Sequence, residues 1–379
     1  MKQLVLGAAL LAGVGIGIAG WNVFLKKEQP PVSQGSEESL ARFANQIVSG
    51  ETRNESSNVS GSEAQNPSLC VGQEQADFSC YEKVFSDLTH NEGVAAAFAL
   101  LRAEYPKNAY VQTQCHPLTH VVGNAAATLY PDVSEAYAKG DSFCWSGYYH
   151  GVLEGVIGRI GYSKLESEMN NICEGLRDAR AYGFDHYNCV HGLGHGVMAV
   201  TNNELFQSLE TCDILNDSWE AASCWSGAFM ENVIIDNKNH YTKYLRPEEP
   251  LYPCNAVGEQ YKGTCYLMQT SYMLKVTFGD FEKVFDLCSQ AEQGYRDTCY
   301  VSLGRDASGR SLSNVEQTKA TCNLGKDFTQ RSNCVIGAVK DFISYFHSDI
   351  QAKELCASLD GADLQKVCRD TAESYATIL

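Results

Sequence analysis

Six histidines lie between residues 116 and 195, and five of them, His116, His120, His150, His191 and His195, follow a cysteine at short range. QCHPLTHVVGNAA (114–126) carries His116 and His120, FCWSGYYHGVLEG (143–155) carries His150 with Glu154, and NCVHGLGHGVMAV (188–200) carries His191 and His195. The spacings read H-x-x-x-H, H-x-x-x-E and H-x-x-x-H. Residues four apart share one helical face. Each pair therefore suits gripping one metal ion from a single helix, as in zinc sites and carboxylate-bridged iron proteins. His120 comes five residues after its cysteine, and His150 and His195 each come six after theirs. Glu231, seven after Cys224, adds a carboxylate on the next segment. Later segments carry Ser271, Arg305 and Lys340 near this position, so the series ends there.

Five imidazoles and one or two carboxylates suffice for a dinuclear site. His116, His120, His150, His191, His195 and Glu154 are the candidate ligands, and Glu154 and Glu231 the candidate catalytic carboxylates for an activated water. The set suits a divalent ion, zinc, iron, copper or manganese. The same residues also read as repeated copies of one packed structural histidine. A third reading is an imidazole-lined pocket for acid–base chemistry or a haem held between two histidines. Covalent c-type haem is excluded, because C-x-x-C-H does not occur. There is no P-loop, no G-x-S-x-G and no H-E-x-x-H. His90, His186, His240 and His347 are scattered and read as surface or structural.

The elements that must position these groups are helices. Gly192, Gly194 and Gly196 interrupt the third segment, and each helical glycine costs about 1 kcal/mol relative to alanine. Close contact with neighbouring helices, together with room for a ligand beside the imidazoles, would offset that cost. His116-Pro117 suits a helix start, where proline is tolerated. Tyr148 or Tyr149 would edge the pocket, and EGVAAAFALLRAEY (92–105) is a strong helix.

The sixteen cysteines set the frame. From Cys212 on they fall in neighbouring pairs 11 or 12 residues apart: Cys212 with Cys224, Cys254 with Cys265, Cys288 with Cys299, Cys322 with Cys334, and Cys356 with Cys368. Each of the last three pairs begins 34 residues after the one before. Amphipathic stretches such as FEKVFDLC (281–288) precede the first cysteine, with apolar spacing of three and four. The expected unit is helix, short loop, helix, stapled by one disulfide. Cys173 with Cys189 begins this series. The pairs Cys70 with Cys80 and Cys115 with Cys144 are less regular. A fixed period in the thirties marks stacked helical hairpins. In period and bridge placement, from about Cys173 to the end, the chain resembles the tetratricopeptide and Sel1-type solenoids. That resemblance implies an all-α, disulfide-stapled solenoid and no particular activity.

The expected organisation has four parts. Residues 1–27 are a signal anchor or signal peptide, 28–68 a flexible polar spacer, 69–170 a helical cap with the first histidine-bearing repeats, and 171–379 the stapled repeats. Leu4–Leu25 carries no charge and is long enough to span a bilayer as a helix. Even cysteine usage implies an oxidising compartment, and Asn54, Asn58 and Asn216 sit in N-x-Ser sequons. The soluble part is therefore expected in the periplasm or outside the cell. A net charge of −17 argues against nucleic acid as a partner. The expectation is a membrane-anchored metal-binding protein, with a dinuclear metalloenzyme as its sharper form. The alternative is a non-catalytic scaffold binding a protein or peptide on its concave face.

Overall fold

The computed structural model describes residues 70, 78–144, 146–177, 183–233, 242–311, 314–346 and 348–376. Every regular element among them is helical. The first seven helices are α1 (Phe78–Glu92), α2 (Val94–Glu104), α3 (Ala109–Thr113), α4 (Cys115–Leu129), α5 (Val133–Tyr137), α6 (Gly147–Ile160) and α7 (Tyr162–Ile172). Next come α8 (Phe184–Val200), α9 (Leu205–Cys212), α10 (Ser218–Val233), α11 (Glu259–Met268) and α12 (Thr270–Val276). The chain ends in α13 (Phe281–Gln290), α14 (Arg296–Arg310), α15 (Val315–Cys322), α16 (Phe328–Phe346), α17 (Ile350–Ser358) and α18 (Ala362–Ala376).

The sixteen cysteines form eight disulfides between neighbours in sequence, and none is free. In the less regular N-terminal part Cys70 bonds to Cys80, and Cys115 bonds to Cys144 across 29 residues. Cys173 bonds to Cys189 at the start of the series. Then Cys212 bonds to Cys224, Cys254 to Cys265, Cys288 to Cys299, Cys322 to Cys334, and Cys356 to Cys368. Four of these join a short helix to the longer one that follows: α9 to α10, α13 to α14, α15 to α16 and α17 to α18. The loops closed are 11 or 12 residues long, a length for which a bridge supplies roughly 3 kcal/mol. The second helices then pack on one another in chain order, α4 on α6, α6 on α8, α8 on α10, and later α14 on α16 and α16 on α18.

Three bridges depart from the helix–loop–helix expectation. Residues 242–258, ahead of Cys265, are turns rather than a first helix. Pro247, Pro250 and Pro253 explain this, since each removes a backbone donor and blocks the preceding turn of a helix. Cys80 lies inside the first turn of α1, and its partner Cys70 sits in a turn ahead of that helix, so this bridge ties an approaching strand of chain to α1. Cys115 opens α4 and its partner Cys144 lies in a turn ahead of α6, so this bridge spans all of α4 and α5, whereas Cys173, which caps the end of α7, bonds to Cys189 in α8 in the expected form.

Helix ends follow local chemistry. Pro117 lies in the first turn of α4, as the sequence implied. Asn202 and Asn203 take positive φ (58° and 61°) and separate α8 from α9. Asp280 and Asn314 cap α13 and α15 by accepting from the backbone N–H three residues on. The buried apolar residues form two clusters, one from Tyr81 to Cys224 and one from Met198 to Ala372, with Trp225 packed against both.

No helix among the described residues is long and apolar enough to cross a membrane. The anchor (4–25), the spacer (28–68) and two of the scattered histidines, His240 and His347, lie outside the described residues. Eight disulfides indicate an oxidising, extracytoplasmic setting.

Candidate metal centre

Glycine makes the site possible by letting helices approach backbone to backbone. A Cβ on Gly227 of α10 would lie 1.8 Å from the His191 carbonyl oxygen, and one on Gly194 of α8 would lie 2.0 Å from that of Cys224. The same device joins α4 to α6: a Cβ on Gly151 would lie 2.0 Å from the His120 carbonyl. Gly192 and Gly196 face the other way, where a Cβ would meet Leu153 at 3.1 Å and Ile157 at 2.4 Å. The glycine triplet thus serves contact with helices on both sides. The expected free space beside it is filled by Leu153 and Ile157.

This packing brings the five histidines together. His116 and His120 come from α4, His150 from α6, and His191 and His195 from α8. His150 sits at the centre, with ring centroids 5.4 Å from those of His116 and His120, 4.9 Å from His191 and 4.5 Å from His195. His120 and His195 approach to 5.6 Å, closing the cluster. Two groups of three ligand atoms suited to a metal ion result, His116–His120–His150 and His150–His191–His195, and His150 belongs to both.

The hydrogen bonds fix which nitrogens are available. The Nδ1 of His116 donates to the carbonyl oxygen of Cys144 at 2.8 Å. The Nδ1 of His120 donates to the Glu154 carboxylate at 2.7 Å, and that of His195 to the Glu231 carboxylate at 2.6 Å. Ser226 gives its hydrogen to the Ser223 carbonyl, so toward His191 it accepts, and the His191 Nδ1 donates across 2.6 Å. In the neutral imidazole one nitrogen carries the proton and the other a lone pair. All four protons thus point outward. The Nε2 lone pairs face inward in pairs, 3.0 Å apart for His116 and His120 and 3.3 Å for His191 and His195. Two nitrogens on one tetrahedral zinc ion would be roughly 3.3 Å apart at the usual bond length. His150 completes the set: its Nδ1 is buried and meets no hydrogen-bond partner.

Burial favours the neutral, metal-ready form of three of the rings. It holds His116 down to about 3, with repulsion from His120 adding to the effect. Burial, and then the neighbouring imidazoles, hold His150 well below the usual histidine range. Burial does the same to His191, reinforced by His195 and by the guanidinium of Arg305. His120 goes the other way. Burial opposes its charge most strongly of any one cause, but the Glu154 carboxylate, with Glu231 adding to it, raises it overall.

The carboxylates occupy the outer side. Glu154 pairs across helices with His120, rather than joining His150 one turn away on α6 in a metal-binding group. It does so because His150 points into the buried cluster while Glu154 reaches the rim, where its side chain is 21% exposed. Glu231 pairs with His195 and is 13% exposed. A ligating histidine commonly gives its second N–H to a carboxylate or carbonyl, which orients the ring and raises its basicity. Glu154, His195 and Glu231 also form a third close group, with their ligand atoms within 4.8 Å of one another.

Of the other candidates, Tyr148 is core: its hydroxyl donates to the Ala136 carbonyl at 2.7 Å and its ring packs on Phe98. His186 is buried, lies 2.8 Å from Glu220 and stacks on Trp219, a structural pair away from the cluster. Three neighbours of the site escaped sequence reasoning, Ser226, Met230 and Tyr187, whose hydroxyl lies 3.4 Å from the His191 Nδ1. Met230 had a signal, since it lies six residues after Cys224, the phase of His150 and His195. No known family model matches the chain, and no curated protein and no solved structure matches it either.

Proposed function

We propose that this protein is an extracytoplasmic metal-binding protein whose five-histidine centre holds two metal ions, with the one lone pair of His150 within reach of either. The observation that carries this reading is the outward commitment of four imidazole protons. With the rings neutral it leaves four Nε2 lone pairs converging in a buried site beside an unpartnered His150 nitrogen. His116 and His120 supply the nitrogens of one half, and His191 and His195 those of the other.

In a catalytic use of the centre, Glu154 and Glu231 are the bases on its solvent side. The uncharged run Leu4–Leu25 supports a membrane anchor and residues 28–68 a tether. The 34-residue cysteine period and the chain-order packing of second helices support a solenoid. The test is elemental analysis of the full chain, produced with its disulfides formed, beside a variant carrying His150→Ala and His195→Ala. About two equivalents of metal in the wild type, lost in a variant of unchanged helical signal, is the expected result. Absence of stoichiometric metal from the wild type after reconstitution would overturn the proposal.

A further inference from the structure

Each half of the centre has a helix that supplies two histidines and a following helix that closes over them. In the first half α6 contributes His150 at that closing position. In the second half the position on α10 is held by Met230, six residues after Cys224 as His150 is six after Cys144. The Met230 sulfur lies 3.4 Å from the Nε2 of His191. That contact is not an N–H donating to sulfur, because His191 has already committed its proton through Nδ1 to Ser226. Nor does His195 supply one, since its Nδ1 faces Glu231. The His191 Nε2 thus lies 3.3 Å from the His195 Nε2 and 3.4 Å from the Met230 Sδ, and in the neutral state none of the three carries a proton.

We infer that the His191–His195 half is a copper(I) site with the Met230 thioether as a ligand. This rests on the metal-binding reading above and adds the identity of one ion. A thioether is a soft donor that selects copper(I), whereas imidazole alone also serves zinc, iron and nickel. The His116–His120 half has only nitrogen ligands and retains the broader choice. The two halves therefore differ in kind: a sulfur-containing copper site on α8 and α10 beside a nitrogen-only site on α4 and α6. Met230 is half-buried and packs against the apolar cluster, which limits the swing of its sulfur away from the site.

The experiment uses the full chain with its disulfides formed, under anaerobic conditions, with copper(I) and zinc(II) as the probes. Copper(I) is competed against a chromophoric chelator for the wild type and for Met230→Leu, which keeps the volume and removes the sulfur. The expected result is about one equivalent of copper(I) on the wild type and a loss of at least about tenfold in affinity in the variant. Zinc(II) binding at the nitrogen-only half and the helical signal should stay unchanged. X-ray absorption at the copper edge should show a sulfur neighbour in the wild type alone. Equal copper(I) affinity in the variant, with zinc binding intact, overturns the role of Met230 and leaves the metal centre standing. Absence of both metals from the wild type overturns the metal centre and this assignment together.

Discussion

His150 lies face to face with His195, ring centroids 4.5 Å apart and planes inclined by 15°. The first ring comes from α6 and the second from α8, so this stack joins the two halves of the centre. Its cost is a buried Nδ1 without a partner. Replacing an orphaned polar group by an apolar one of similar size is nearly neutral or stabilising. His150→Leu should therefore raise the metal-free unfolding free energy by about 1 kcal/mol, while abolishing the stabilisation that added metal confers. Denaturant titrations with chelator and with metal check both halves of that statement. A metal-free variant weaker than the wild type would mean that His150 is a packing residue.

Glu154 and Glu231 act through the histidines they hold. Substituting either by glutamine keeps the shape and removes the charge. Metal affinity should fall roughly 10- to 100-fold while the number of ions bound at saturation stays the same. Calorimetric titration separates the two quantities. A fall in stoichiometry would make the carboxylate a direct ligand instead.

Helix propensity and packing make opposite predictions for Gly194→Ala and Gly227→Ala. Propensity alone favours alanine by about 1 kcal/mol. The added Cβ, however, would lie about 2 Å from a backbone oxygen of the facing helix, and overpacking of this kind costs roughly 1–3 kcal/mol. Both variants should be net destabilised and should bind metal more weakly, since α8 and α10 must move apart. Thermal unfolding with and without metal reads both effects. A rise in stability would show that the helices are not in backbone contact.

Asp341 on α16 offers a test outside the histidine cluster. One of its carboxylate oxygens is buried without a partner. Burial raises the group to about 6, and Asp306 pushes the same way, while Ser308 and the Arg305 guanidinium oppose. A carboxyl raised on folding contributes stability that is fully present below about pH 4 and is lost as the pH rises through about 6. Asp341→Asn should match the wild type near pH 4 and exceed it by on the order of 1–3 kcal/mol at pH 8. Unfolding midpoints across that range decide it, and equal profiles would exclude an ionising Asp341.

Much of this architecture was legible in the cysteines. Their spacing sets loop lengths, and loop lengths set which helices are neighbours, so the eight bridges and the all-helical content could be read directly. The histidines were legible by their phase to the same cysteines. What spacing on one helix could not show was pairing between helices. Glu154 reads as the partner of His150 four residues away, yet it meets His120 on α4. The space around Gly192 and Gly196 likewise depends on Leu153 and Ile157, residues of a different helix. Met230 lies six residues after Cys224, the phase of His150 and His195, a count that only the histidines drew on in the sequence. The turns before Cys254 were written in three prolines that the cysteine period alone does not register.

One of the ring-orienting bonds bears on the order of assembly. The acceptor that holds His116 is the carbonyl of Cys144, and Cys144 is tied to Cys115 beside His116 itself. Before that bridge closes, this acceptor is not held against the ring, and two thiols stand next to it as rival ligands. Oxidation removes the rivals and seats the ring in one event. Under the proposed function, metal capture would therefore follow export: a chain still in a reducing compartment offers thiolates to any passing ion, and the oxidised chain offers imidazoles.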